Sequence, residues 1–257
     1  MLTEIDSRLL EKIADLTGKP VGAFNIRKDS GCEARQSTEH IEIVPQPEGK
    51  SGIIIRIKPG TKGEQCHIPV IISKTGLSEM VYNDFFVGEG AQVLIVAGCG
   101  IHNDGGADSQ HDGIHRFFLG KNARVKYIEK HYGEGTGTGE RILNPVTEVT
   151  LDEGSYMEME TTQIKGVDST VRTTNAKLGP RATLIIREKV MTHGRQLAKS
   201  DFTVDLDGED CHTNVISRSV AKDQSRQVFL ARINGNARCY GHSECDAIIC
   251  LLYTSPS

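Results

Sequence analysis

The sequence predicts a mainly β solenoid core preceded by a small α+β segment. Three observations carry that expectation. A turn, a small residue and a β-rich run return together from residue 89 onward, the small residues standing about 26 to 32 positions apart, a solenoid-scale period. Between the turns the chain alternates with period two: Arg124, Lys126 and Ile128 interleave with Val125, Tyr127 and Glu129. The composition, with 27 glycines, no Trp and 5% aromatic residues, suits a narrow interior filled by Val, Ile, Leu, Ala and Thr.

At the N-terminus Leu2, Ile5, Leu9, Leu10, Ile13 and Leu16 recur at helical spacing and give one apolar face. Thr3 is placed to cap this helix, with Asp6 three residues on as a variant capping box, and Gly18-Lys19-Pro20 ends it. Gly52–Ile57 and Ile68–Ile72 read as short buried strands, with Pro59-Gly60 and Thr61-Lys62-Gly63 forming the turn between them. Residues 1–88 are therefore taken as the N-terminal segment and 89–249 as the repeating core. The repeat turns are Gly90-Ala91, Asn122-Ala123, Gly154-Ser155, the segment ending Arg181-Ala182, the segment ending Asp210-Cys211, and Gly235 through Cys239. One such unit cannot cover both its faces, whereas stacked units pair each other's backbone. A β-sandwich is the alternative; near-constant spacing and the lack of strong two-residue hairpin turns favour the solenoid.

Charged residues make up 25% of the chain and apolar residues 37%, as in soluble globular proteins. The net charge of −4 and the lack of a long basic block argue against a nucleic-acid partner. No apolar run approaches the roughly 20 residues that span a bilayer, so no membrane partner is expected. The first residues carry no basic and apolar leader, and a cytosolic location is expected. Seven cysteines without close pairing point to free thiols or metal ligands rather than a disulfide framework.

Cys99, His102, His111 and His115 follow a Cys-x2-His-x8-His-x3-His pattern around Asn103-Asp104-Gly105-Gly106. Thiolate and imidazole at such spacing can build a tetrahedral metal site; a polar turn with hydrogen-bonded histidines is the plainer account. Cys211 and Cys239 would align with Cys245 if their rungs stack in register, or else serve as small buried apolar residues. Gly133 to Gly139 alternates glycine with polar residues, but lacks the Gly-Lys-Ser/Thr ending of a phosphate loop and reads as a flexible exposed loop. Asp205, Asp207, Glu209 and Asp210 form the one dense acidic cluster. A carbohydrate-active β-helix enzyme would need such acids grouped in a groove, and a turn is the simpler reading.

The last repeat reads Gly241-His242-Ser243-Glu244-Cys245-Asp246-Ala247-Ile248-Ile249. With Asn214–Ala221, Gly235–Arg238 and the run from His111 through Glu140–Pro145, it resembles the core of the SufB/SufD family of iron–sulfur cluster assembly scaffolds. The resemblance covers roughly residues 90–249. It implies a right-handed parallel β-helix and a scaffold that catalyses no hydrolysis itself. The implied partners are a SufC-like ATPase and a SufB/SufD-like subunit or a second copy. It also implies handling of a transient iron–sulfur cluster, with Cys245 at the family's sulfur-accepting or cluster-binding position. The family's His–Glu pair and ATPase-docking helices are expected beyond the end of this sequence. The string Cys250–Ser257 does not continue the repeat and reads like a translated sequencing adaptor, so residues 250–257 are expected to be non-native.

Overall fold

The computed structural model describes residues 2–250. After α1 (Glu4–Ala14), the chain runs through β1 (Ala23–Lys28), β2 (Gly31–Gln36), β3 (Ile41–Pro45), β4 (Gly52–Ile57), β5 (Lys62–Ile72) and β6 (Ser78–Val87). There follow β7 (Gln92–His102), β8 (Ser109–Leu119), β9 (Arg124–Glu134), β10 (Arg141–Leu143), β11 (Val146–Leu151) and β12 (Tyr156–Lys165). The last six are β13 (Ser169–Leu178), β14 (Thr183–Thr192), β15 (Leu197–Leu206), β16 (His212–Lys222), β17 (Arg226–Gly235) and β18 (Tyr240–Cys250). They form a parallel β-solenoid of about seven turns with a short N-terminal helix.

Each turn contributes one long strand to each of two facing sheets. The first sheet runs β18-β16-β14-β12-β9-β7-β5-β1-β2, and the second β17-β15-β13-β10-β8-β6-β4-β3, with β11 also pairing β8 and β13. Only β1–β2 and β3–β4, at the N-terminal end, pair antiparallel. The parallel stacking reaches further toward the N-terminus than the sequence repeat indicates, since β1 pairs β5 and β4 pairs β6, all before residue 89. At the other end β18 carries the ladder to Cys250, paired with Lys222. The rest of the expected foreign tail lies outside the described residues.

The repeat has a local cause. Gly60, Gly90, Asn122, Gly154, Arg181 and Asp210 all have positive φ. Each turns the chain sharply and drops the next side chain into the tight corner between the sheets. Ala91, Ala123, Ser155, Ala182 and Cys211 fill that corner and are at most 1% exposed. Each carbonyl in this column accepts from the rung above, as in Arg124 N–H to Ala91 O at 2.7 Å and Tyr156 N–H to Ala123 O at 2.8 Å. Alternation then sends Val125 and Tyr127, Met157 and Met159, Leu184 and Ile186 into one continuous core with Phe85, Phe117 and Phe202 from the second sheet.

The helix begins as expected: Thr3 and Asp6 exchange both capping-box hydrogen bonds. It ends at Ala14, with Asp15 in the left-handed region, before the Gly-Lys-Pro signal. Leu9, Leu10 and Ile13 pack on the outer face of the first sheet against Phe24, Ile26 and Val96. Gly98 lets the helix come this close, because a β-carbon there would stand 2.7 Å from the Ile13 carbonyl oxygen. Among the described residues no helix is long and apolar enough to cross a membrane.

Candidate functional site

The buried interior is mostly apolar but also encloses a set of polar and charged side chains. In-register stacking builds one inward column of the first sheet from Ile68, Ala97, Glu129, Thr161, Glu188, Ser217 and Cys245, one per rung. The second sheet faces this column with Arg172, whose Nη1 donates to Glu129 at 2.7 Å and whose Nε stands 3.8 Å from Glu188. The two carboxylates and the guanidinium are each at most 5% exposed. An arginine between two buried acids meets the requirement that a buried charge be paired.

The network continues on both sides. The Tyr127 hydroxyl donates to Glu129 at 3.0 Å and stands 3.2 Å from His115 Nδ1. His131 Nε2 lies 3.6 Å from Glu129. Burial pushes the Glu129 pKa up, but the positive charge of Arg172, with a hydrogen bond from His131, outweighs it and holds the carboxyl well below its ordinary value. Burial drives His115 down to about 4, so this ring is neutral at physiological pH. Toward the N-terminal turns Glu79 takes hydrogen bonds from Arg27 and His111, each at 2.8 Å. There too burial raises the carboxyl pKa while the two donors more than offset it, leaving it at about 2. Toward the C-terminal end the Ser217 hydroxyl donates to Glu188 at 2.9 Å, and Ser200 donates to the same carboxylate.

Cys245 follows as the next residue of the column, directly over Ser217. It lines a pocket of about 340 Å³ together with Glu188, Ser200, Ser217 and Phe229. Partial burial raises its thiol pKa; Glu188 and Asp246 add to the rise and Arg218 opposes it. The thiol is exposed and stands two rungs from the Glu188 carboxylate.

The four-residue Cys/His pattern does not converge. Cys99, His111 and His115 fall on the inward parity of their strands and line one small cavity, while His102 has the opposite parity. His102 points to the outer face, bonded to Asp104 at 2.8 Å and to Glu134 at 3.3 Å beside Arg8 of α1. The inner cavity holds about 10 Å³, roughly one water molecule. Its histidines already bond Glu79 and Tyr127, and burial raises the Cys99 thiol well above its ordinary range, with Glu79 and Glu129 adding to the rise. Among the described residues no three His, Cys, Asp or Glu side chains are placed to hold a metal ion.

Cys211 and Cys239 stack on each other in the corner column, and Cys245 belongs to a different column. The glycine-rich stretch is not a loose loop. Gly137 N–H donates to Asn103 O and Gly139 N–H to Gly105 O, each at 3.0 Å, so it stacks on the preceding turn. Sequence reasoning missed Glu129, Arg172 and Glu188. The available signal was parity: Glu129 shares a face with Val125 and Tyr127, which puts a carboxylate inside.

A two-sheet parallel β-solenoid with a buried polar column is a structural class, and comparison with known proteins gives it a family. Residues 72–249 match the SufBD core domain of the SUF system of FeS cluster assembly. The chain is 26% identical over 207 residues to an iron–sulfur cluster assembly SufBD family protein of Methanocaldococcus jannaschii, covering 79% of this chain and 64% of that protein. It is also 26% identical over 219 residues to an iron–sulfur cluster assembly SufBD family protein of Archaeoglobus fulgidus, covering 84% of this chain and 57% of that one. The chain therefore belongs to the SufBD family, and it spans less than two thirds of the length of either relative. Family membership supports a role in iron–sulfur cluster assembly.

Proposed function

We propose that the protein is a scaffold component of the SUF machinery, that it works in the cytosol, and that Cys245 accepts sulfur or ligates a nascent iron–sulfur cluster. The observation that carries this reading is the position of Cys245. It is a cysteine of the inward column that lines a pocket with Glu188, Ser200 and Ser217, in a chain of the SufBD family. Thiolate sulfur matches iron in softness and is nucleophilic once deprotonated. The cluster is cargo in this reading, and further ligands come from a SufB/SufD-like subunit or a second copy of the chain. Energy comes from a separate SufC-like ATPase, and the scaffold itself catalyses no hydrolysis.

The carbohydrate-active alternative gains nothing from the geometry. Asp205 accepts from Asn234 and Asp207 from Asn236, each at 2.7 Å, and Asp210 pairs with Arg238 at 2.8 Å. These acids tie one turn to the next instead of facing each other across a groove.

The test is Cys245→Ser in the full-length protein, co-expressed with the ABC-type ATPase of the same source. The expected result is loss of the visible-absorbing cluster and of protein-bound sulfide, with the complex still assembled. Cluster formation equal to that of the parent would remove Cys245 from the site. Failure of the ATPase to co-purify would remove the partner assignment.

A further inference from the structure

We propose that Cys211 and Cys239 form a reversible redox pair that clips the rung entering β18 to the one entering β16. This inference is independent of Cys245 and of the scaffold role. The corner column holds Ala91, Ala123, Ser155 and Ala182 in the earlier turns, and sulfur enters it only at two successive positions, Cys211 and Cys239.

Their register is fixed on both sides. Asp210 N–H donates to Arg238 O at 2.7 Å and Tyr240 N–H donates to Cys211 O at 3.0 Å. The Arg238–Asp210 ion pair and the His212–Tyr240 ring contact, with centroids 6.0 Å apart, bracket the two cysteines further. Paired strands lie about 4.8 Å apart. That separation falls within the roughly 4.4–6.8 Å between α-carbons that a disulfide spans. Both side chains turn inward: Cys211 is fully buried, and Cys239 packs on the same core while remaining partly exposed. The Cys239 sulfur lies over Gly235, where a β-carbon would come within 3.2 Å of it.

The two thiols differ in a way that suits exchange. Cys239 is the accessible one. Burial raises the pKa of Cys211 and makes it the resolving thiol rather than the attacking one. With a low-molecular-weight disulfide as oxidant, the Cys239 thiolate attacks one of its sulfurs, and one small thiol leaves as the first equivalent. Cys211 then attacks the Cys239 sulfur of the mixed disulfide, loses its proton, and expels the second small thiol. The protein dithiol is oxidised to a disulfide and the small disulfide is reduced to two thiols. β-Carbons in a parallel ladder stand further apart than the roughly 3.8 Å a relaxed disulfide prefers. The bond is therefore strained and readily reduced, as a switch requires.

The experiment treats the full chain with glutathione disulfide, quenches with acid, unfolds and alkylates it, and maps the peptides by fragmentation mass spectrometry. The expected product is a crosslink between Cys211 and Cys239 with no glutathione on either, and recovery of both thiols with dithiothreitol. Cys211→Ala puts into the column the residue it holds elsewhere; this variant should fold and retain only a glutathione adduct on Cys239. A persistent adduct on Cys239 in the parent chain, with Cys211 alkylated, would overturn the proposal. So would a bridge from Cys239 to Cys245 in place of Cys211.

Discussion

Cys245 and Glu188 stand two rungs apart in one inward column, with the Ser217 hydroxyl between them donating to the Glu188 carboxylate at 2.9 Å. The carboxylate faces the pocket that the thiol lines and helps to raise its pKa. Replacing Glu188 by Gln keeps the shape and removes the charge. The Cys245 thiol should then ionise at lower pH, and its rate of alkylation by iodoacetamide at neutral pH should rise. Arg218→Ala should act the other way, because Arg218 opposes the rise. Identical pH–rate profiles for the parent and Glu188→Gln would show that the column does not reach Cys245.

Arg172 holds two buried carboxylates at once, and removing it is costly. Arg172→Met fills part of the same volume but leaves Glu129 and Glu188 buried without their cation. Stripping one partner from a buried pair costs about 3–5 kcal/mol. The urea midpoint should fall accordingly. The triple replacement Glu129→Gln, Arg172→Met, Glu188→Gln should recover a large part of the loss, since no uncompensated charge then remains inside. A triple variant no more stable than Arg172→Met would mean that packing, rather than charge, makes Arg172 necessary.

The turn column and the alternation were legible because each has a local cause. A left-handed residue followed by a small corner side chain (Thr61, Ala91, Ala123, Ser155, Ala182 or Cys211) repeats at one corner of the rungs. The beginning of the solenoid was not legible, because Ile53, Ile55 and Ile57 sit before the regular turns and join the parallel stack through pairing with β6. Cys245 was singled out in the sequence through the family resemblance alone. The Arg172–Glu129 pair spans 43 positions of sequence, and its two members meet only once the register of two sheets is fixed. The spacing of Cys99, His102, His111 and His115 suggested convergence along the chain. In a strand, however, one step of parity decides which side of a sheet a residue occupies, and His102 takes the other side.

The glycine-rich stretch is a stacked turn, and substitutions within it should show this. A β-carbon at Gly137 would stand 2.3 Å from the Gly105 carbonyl oxygen, a backbone atom with little freedom to retreat. At Gly106 a β-carbon would meet nothing closer than Thr138 Oγ1 at 3.6 Å, and its φ lies outside the positive region. Gly137→Ala should destabilise the protein by about 1–3 kcal/mol, the usual cost of forcing atoms into a packed site, whereas Gly106→Ala should stay within about 0.5 kcal/mol. Equal and negligible effects on thermal unfolding would return the segment to a flexible loop.

His115 makes the fold sensitive to mild acid. Its ordinary pKa of 6.5 falls to about 4 in the interior, with burial as the main cause. Between those two values the unfolded chain binds a proton that the folded chain refuses, so stability rises with pH across the window and is lost as pH falls from 6.5 toward 4. The full shift corresponds to about 3 kcal/mol. Glu79 acts lower down: its folded value of about 2 lies below the ordinary 4.5, and the stability it contributes is lost as pH falls from 4.5 toward 2. His115→Phe keeps an aromatic ring beside Phe85 and Tyr127 and takes away the titration. Urea unfolding followed from neutral pH down to about pH 4 should give a curve for His115→Phe that is flatter by up to one proton. Parallel curves for the two proteins would place the proton uptake on another group, and His115 would then serve the fold only as a packed ring.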